Sequence, residues 1–156
     1  MCSACEDPDR SGYLERLREG VAERGWMVQG VVNSGSYPPW AYTIGLSGYD
    51  LPELVVTGLP VVAAGKLLND VASRVLGSSP PAAGERVALP GGPLVEVVAL
   101  AEPSAHLMVA TALYGNEIRA LQLVHADSCG RFPWSPDYRD GRGGQPVLGV
   151  RRARQM

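Results

Sequence analysis

WAYTIGLSGYDLPELVVTGL, residues 40–59, holds two strand patterns separated by a turn. From Trp40 to Leu46 the larger apolar residues Trp40, Tyr42, Ile44 and Leu46 alternate with Ala41, Thr43 and Gly45, the period of two that a half-buried strand requires. Ser47 to Pro52 is rich in turn residues. Glu53 to Leu59 resumes an extended, β-branched pattern, so 40–59 predicts a hairpin or a neighbouring strand pair. The next residues change period. Pro60 suits a first helical turn, and over 60–76 Ala64, Leu67, Leu68, Val71, Ala72 and Val75 form one apolar stripe that ends at Gly77. A strand pair followed by an amphipathic helix sets the theme: a sheet with a helix laid on it.

Working outward, Tyr13, Leu14, Leu17 and Val21 recur at helical spacing, which predicts a helix over about 9–24 with Gly25 as its stop. Residues 26–32 read as a strand, and 33–39, with its Pro-Pro, as a loop. Further strands are expected at 86–89 and 94–100 around a Pro-Gly-Gly-Pro turn. A third helix is expected at about 104–114, capped by Ser104 and ended by Gly115. A last strand covers 118–125, and the chain from Ala126 onward is mostly loop. Helix, strands, helix, strands, helix, strand gives the fold class α+β, with about six strands in a short mixed or antiparallel sheet and about three helices. Residues 1–8 read as a flexible leader, 9–149 as a single domain and 150–156 as a basic tail.

Composition bounds the function more than it defines it. The chain of 156 residues is 46% apolar, and a chain of this size buries roughly 70% of its unfolded surface. Gly (19) and Pro (13) are abundant, which implies many turns. The net charge of −2, from 14 basic and 16 acidic residues, offers no basic face for nucleic acid or an anionic membrane. Arg151, Arg152 and Arg154 form the one basic cluster, which reads as a frayed tail. No apolar run reaches the roughly 18 residues needed to cross a bilayer. The acidic start, Met1 to Asp7, does not resemble a signal peptide, so a cytoplasmic location is expected, where the three cysteines would stay reduced.

Several short stretches carry a resemblance in combination: Gly25-Trp26, AYTIGL at 41–46, PELVVTGL at 52–59, Leu68-Asn69, QLV at 122–124, Asp127, GRFPW at 130–134 and QPVL at 145–148. Together they resemble DUF4262, a bacterial family named for having no known function, over about 12–149. The resemblance implies one compact domain, and members often carry a Cys-x-x-Cys leader like Cys2-Ser-Ala-Cys5. It supplies no reaction, cofactor or catalytic residue. Family members commonly have Trp-Pro where this chain has His125-Ala126, so a role for His125 would belong to this chain alone.

Candidate chemistry therefore rests on the residues themselves. Arg131 and Trp134, in the loop with Asp127 and Phe132, form the leading ligand-binding candidates, because the planar guanidinium fork takes a carboxylate or phosphate bidentately. The competing reading is a pinned loop, in which Arg131 pairs with Asp127 while Phe132 and Trp134 plug the core. His125 and Asp127 are catalytic candidates: two residues apart on a strand they share a face, and Cys129 would be the adjacent nucleophile. Tyr42 and Glu53, on the hairpin with Thr43, Thr57, Gly45 and Gly58, are candidate pocket-lining groups, since glycine within a strand marks close approach of a backbone or ligand. Cys2 and Cys5 supply half of a tetrahedral metal site, which His106, His125 or Cys129 would have to extend. His106 falls in the first turn of the expected third helix, where the dipole disfavours imidazolium.

The Gly-rich nucleotide loops, the Gly-x-Ser-x-Gly elbow and the His-Glu-x-x-His zinc motif are all missing. Three readings remain. One is a small-molecule-binding protein or small enzyme with its pocket between the sheet and the 126–148 loop, of which a flavin-binding split barrel is a variant. The second is a non-catalytic accessory or immunity-type interaction module, with an apolar patch or a homo-oligomer as its mark. The third is a domain stabilised by zinc on Cys2 and Cys5.

Overall fold

The computed structural model describes residues 8–31 and 38–151. Helix α1 spans Pro8–Arg24, and strand β1 spans Met27–Val31. The hairpin follows as β2 (Trp40–Ile44) and β3 (Glu53–Thr57), and then helix α2 (Val61–Gly77). Strands β4 (Arg86–Ala88) and β5 (Leu94–Ala99), short helices α3 (Pro103–His106) and α4 (Met108–Tyr114), and strand β6 (Ala120–His125) complete the order. The six strands form one mixed sheet, β1-β2-β3-β6-β5-β4. Every pairing is antiparallel except the central one, where β3 and β6 run parallel with Val55 opposite Gln122.

The alternation read in 40–59 explains the layers. Ala41, Leu54 and Val56 face α2, whose stripe of Ala64, Leu67, Leu68, Val71, Ala72 and Val75 is buried against them and against Val95, Val97, Leu121 and Leu123. Tyr42, Ile44 and Val55 face the other way and pack beneath Leu17 of α1 and Ala110 of α4. Further along that second face, Val98 and Val124 pack with Phe132, Trp134 and Val147. Because both faces are covered, all five residues of β3 are buried, as expected for a strand in a parallel pair.

Three expectations are corrected. Leu46 does not continue the Tyr42–Ile44 face. The strand stops at Ile44, Gly45 takes φ +127°, and a short 3₁₀ turn over Leu46–Tyr49 swings Leu46 into the α2 layer. The expected third helix is two pieces broken at Leu107, whose φ of −100° and ψ of 66° lie outside the helical region. Burial explains the break: Leu107 is wholly enclosed, and the N–H of Val109 at the start of α4 is taken by the Tyr42 hydroxyl oxygen at 3.0 Å. Glu102, not Ser104, precedes the first piece, with Pro103 at its opening position. His106 therefore ends α3 rather than beginning a long helix. The basic tail is also not frayed at its start, since Arg151 is docked (below); Arg152 and Arg154 lie outside the described residues.

Candidate functional site

The parallel pair ends at Thr57 on β3 and His125 on β6, and the chain from Ala126 to Gly144 folds over these ends. Asp127 organises that cover. One carboxylate oxygen accepts the N–H groups of Cys129 and Arg131, both at 2.9 Å. The other accepts the Arg139 N–H at 2.8 Å and Arg131 Nε at 3.1 Å. Burial raises the Asp127 pKa, but these donors and the Arg131 charge outweigh it and hold the carboxyl at about 2. A carboxyl depressed from 3.8 to about 2 contributes stability above its ordinary pKa and loses it as pH falls through about 2. The melting-temperature gap between the wild type and Asp127→Asn should thus be widest near neutral pH and close towards pH 2; a gap unchanged with pH would refute the assignment.

Arg131 is fully engaged. Besides Asp127, its guanidinium pairs with Asp137 and Asp140, each at 3.3 Å. Arg139 differs. Its backbone sits in the left-handed region at φ +49°, followed by Asp140 at +56°, a conformation costly for residues other than glycine. Its half-buried guanidinium lies over the Tyr138 ring and, among the described residues, reaches only two carbonyl oxygens, those of Gly58 and Gly143, each at 3.4 Å. Among the described residues, no carboxylate lies within ion-pairing distance of it.

His125 is buried beside this group. Nε2 lies 3.0 Å from the Thr57 carbonyl oxygen, so that nitrogen carries a proton and donates it. Burial lowers the His125 pKa; the Thr57 contact works against it and the Arg139 charge adds to the lowering, so the neutral ring is favoured. The Gln145 side chain closes the arrangement. It takes the His125 N–H at 2.9 Å and donates to both the His125 carbonyl and the Tyr138 hydroxyl, at 2.8 and 2.6 Å.

The remaining sequence candidates are spread over the fold. Asp127 and His125 are neighbours in the chain, yet the carboxylate turns to the loop N–H groups and the imidazole to Thr57. The exposed Cys129 contributes only its backbone N–H to this arrangement. Trp134 stacks on Phe132 at 5.0 Å. Arg151 lies over Trp134 and Arg86 over Phe132; both arginines bond the buried Glu96 carboxylate, at 2.7 and 3.1 Å. Burial works to raise the Glu96 pKa, and the two arginines outweigh it and lower it. The Tyr42 hydroxyl caps α4, and burial raises its pKa.

Glu53 is wholly buried and accepts five hydrogen bonds: from the Thr43 and Ser47 hydroxyls at 2.8 and 2.6 Å, and from the N–H groups of Gly45, Leu46 and Ser47 at 2.9–3.2 Å. His106 lies edge-on to Trp40, ring centres 6.2 Å apart. Cys2 and Cys5 lie outside the described residues. Among the described residues no three His, Cys, Asp or Glu side chains are grouped to hold a metal ion, and no helix is long and apolar enough to cross a membrane.

Part of the ground between the sheet and the 126–148 loop is filled by the chain itself, at Pro146 and Leu148. Pro146 carbonyl oxygen accepts from the Thr57 hydroxyl and Gln122 Nε2, at 2.6 and 2.7 Å, and the Leu148 N–H donates to Gln122 Oε1 at 2.7 Å. Two clefts lie elsewhere. A polar one of about 160 Å³ is bounded by Ser47, Asp50, Tyr114, Glu117 and Arg119. An apolar one of about 200 Å³ lies between α2 and the Leu89–Pro93 turn. Arg139 and Gln145 are the residues that sequence reading missed. The glycines crowded after Arg139 were the available signal, because they mark a tightly turned backbone.

Comparison with known proteins returns no curated protein and no solved structure that matches. A family model described as "Domain of unknown function (DUF4262)" matches residues 20–139, a span that includes the sheet, Asp127 and Arg139. The chain belongs to the DUF4262 family.

Proposed function

We propose that this protein binds a small anionic molecule at the carboxyl ends of β3 and β6, with Arg139 as the charged contact. One observation carries the reading: Arg139 is strained at its backbone, and its half-buried guanidinium is bonded, among the described residues, only to two carbonyl oxygens at 3.4 Å, while Arg131 nearby has three carboxylates. A guanidinium with open donors beside a neutral, buried imidazole suits a carboxylate or phosphate group. Ligands of α/β sheets favour the carboxyl ends of parallel strands. The site shifts from Arg131 and Trp134 to Arg139, in the same loop, and His125 at its base. No reaction is assigned, since Asp127 does not reach His125 and no base–nucleophile pair is formed there.

Inorganic phosphate and acetate are the probes. The chain has two histidines, so the His125 imidazole signals are readable by NMR. Saturable shifts of those signals are expected in the wild type. They should be lost in Arg139→Ala with the melting temperature nearly unchanged, because alanine occupies the left-handed region no worse than arginine. Equal shifts in wild type and variant, or none in either, would refute the reading.

The competing reading, a non-catalytic interaction module, draws support from Val62 at the start of α2, which is 87% exposed beside the half-exposed Val61.

A further inference from the structure

Residues 145–151 form a strap laid across the second face of the sheet, and its docking is almost entirely by specific bonds. The Gln145 side chain pairs with both backbone groups of His125. Pro146 and Leu148 bond Gln122 and Thr57. Val147 packs against the Val98–Phe132 cluster, and Leu148 against the cluster containing Tyr42. Gly149 bridges to Leu100 so closely that a Cβ there would stand 2.0 Å from the Ala99 oxygen. Arg151 closes the end on Glu96 at 2.7 Å and on the Trp134 ring at 4.1 Å.

The receptor for the strap is polar and buried. Thr57, Glu96, Gln122 and His125 are each at most 3% exposed. If the strap simply lifted, the Thr57 hydroxyl, the Gln122 amide and the His125 backbone would lose partners they are shaped to hold, which is costly for buried groups. The hinge before it has the opposite character. Residues 141–144 are exposed, and Arg139, Asp140, Gly141, Gly143 and Gly144 all have positive φ. The strain lies at Arg139 and Asp140, since glycine takes positive φ without cost, and this tightly coiled segment is the one that lets the strap close on its own body.

We infer that the strap is exchanged between two copies of this chain, each copy's residues 145–151 docking in the other's groove. Exchange keeps every bond between the strap and its groove and gives up only those within the hinge, from Arg139 to Gly143 and from Arg142 to Arg139, and a short hinge that carries strain is the feature that favours it. The occupant is a second copy because the groove is already matched, bond for bond, to this sequence. In the exchanged dimer the partner's Gln145 would meet His125, so each anion site would be completed by the other chain. The inference does not depend on anion binding, and its test reads mass, not ligand.

Unlabelled and ¹⁵N-labelled full-length chains are unfolded together, refolded at the highest concentration the protein tolerates, and weighed by native mass spectrometry. Dimers are expected, including the mixed-mass species, with a fraction that falls on refolding at high dilution. Inserting Gly-Ser-Gly-Ser after Arg142 should return the protein to monomer with its fold unchanged, while deleting residues 141–143 should make the dimer obligate. Protein that refolds wholly as monomer at every concentration overturns the inference. So do dimers whose fraction is the same with the lengthened hinge, since their interface would lie elsewhere.

Discussion

Glu53→Ala is expected to cost at least about 3 kcal/mol, a large share of the roughly 5–15 kcal/mol by which domains are stable. The variant removes the acceptor of five hydrogen bonds, three of them from backbone N–H groups at the head of the Leu46–Tyr49 turn. Those donors have no replacement in the α2 layer, where Leu46 is fully buried. Urea unfolding should show a lower midpoint at an unchanged slope. Glu53→Gln should fall between the two, because its amide retains one acceptor oxygen and turns two donors towards groups that themselves donate. If Glu53→Ala unfolds within about 1 kcal/mol of the wild type, the carboxylate does not organise the turn.

Gly58→Ala carries the second large effect. Gly58 has φ +77°, and a Cβ there would stand 2.4 Å from the Gly144 carbonyl oxygen and 3.1 Å from Gln145 Cα. The left-handed backbone alone costs about 1–2 kcal/mol for a residue with a Cβ, and the clash with backbone adds to it, so about 3 kcal/mol in all is expected. The displaced Gly144–Gln145 segment would also leave His125, so phosphate-induced shifts at His125 should weaken together with stability. Gly65→Ala is the control. That glycine lies within α2 with nothing within 4 Å of its Cβ position, and the change should stabilise by about 0.5–1 kcal/mol. A Gly58→Ala protein as stable as this control would show that the chain above Gly58 yields without cost.

The layers of the fold were legible because they rest on local periodicity. The period of two in β2 and the α2 stripe are written residue by residue, and both faces of the sheet follow from them. What was not legible depends on partners distant in sequence. Leu107 breaks the expected helix because a core position and the Tyr42 hydroxyl claim the chain there, and neither is visible in residues 104–114. Arg131 drew attention as the arginine beside aromatics, yet Asp137 and Asp140 complete its partners. Arg139 stands out only once its neighbours are known to have left its guanidinium with carbonyls. The Asp127–Arg131 pairing was foreseen as one of two readings, since a carboxylate four residues before an arginine in a Gly-containing loop is within local reach.

The parallel contact at the centre of the sheet also has a consequence for the order of assembly. β1, β2 and β3 form a meander of neighbours in sequence, and β4, β5 and β6 form another with only α3 and α4 intervening. The two meet only where Glu53, Leu54 and Val55 align with Ala120, Leu121 and Gln122, across the longest loop the sheet has to close. Contacts of that separation bear the greatest chain-closure entropy and set the folding rate. Each half can thus form early, and the β3–β6 seam is the late step. Until it closes, Leu54 and Val56 stand on an unpaired, apolar strand edge. The nascent chain is most vulnerable to aggregation in the interval before β6 is made.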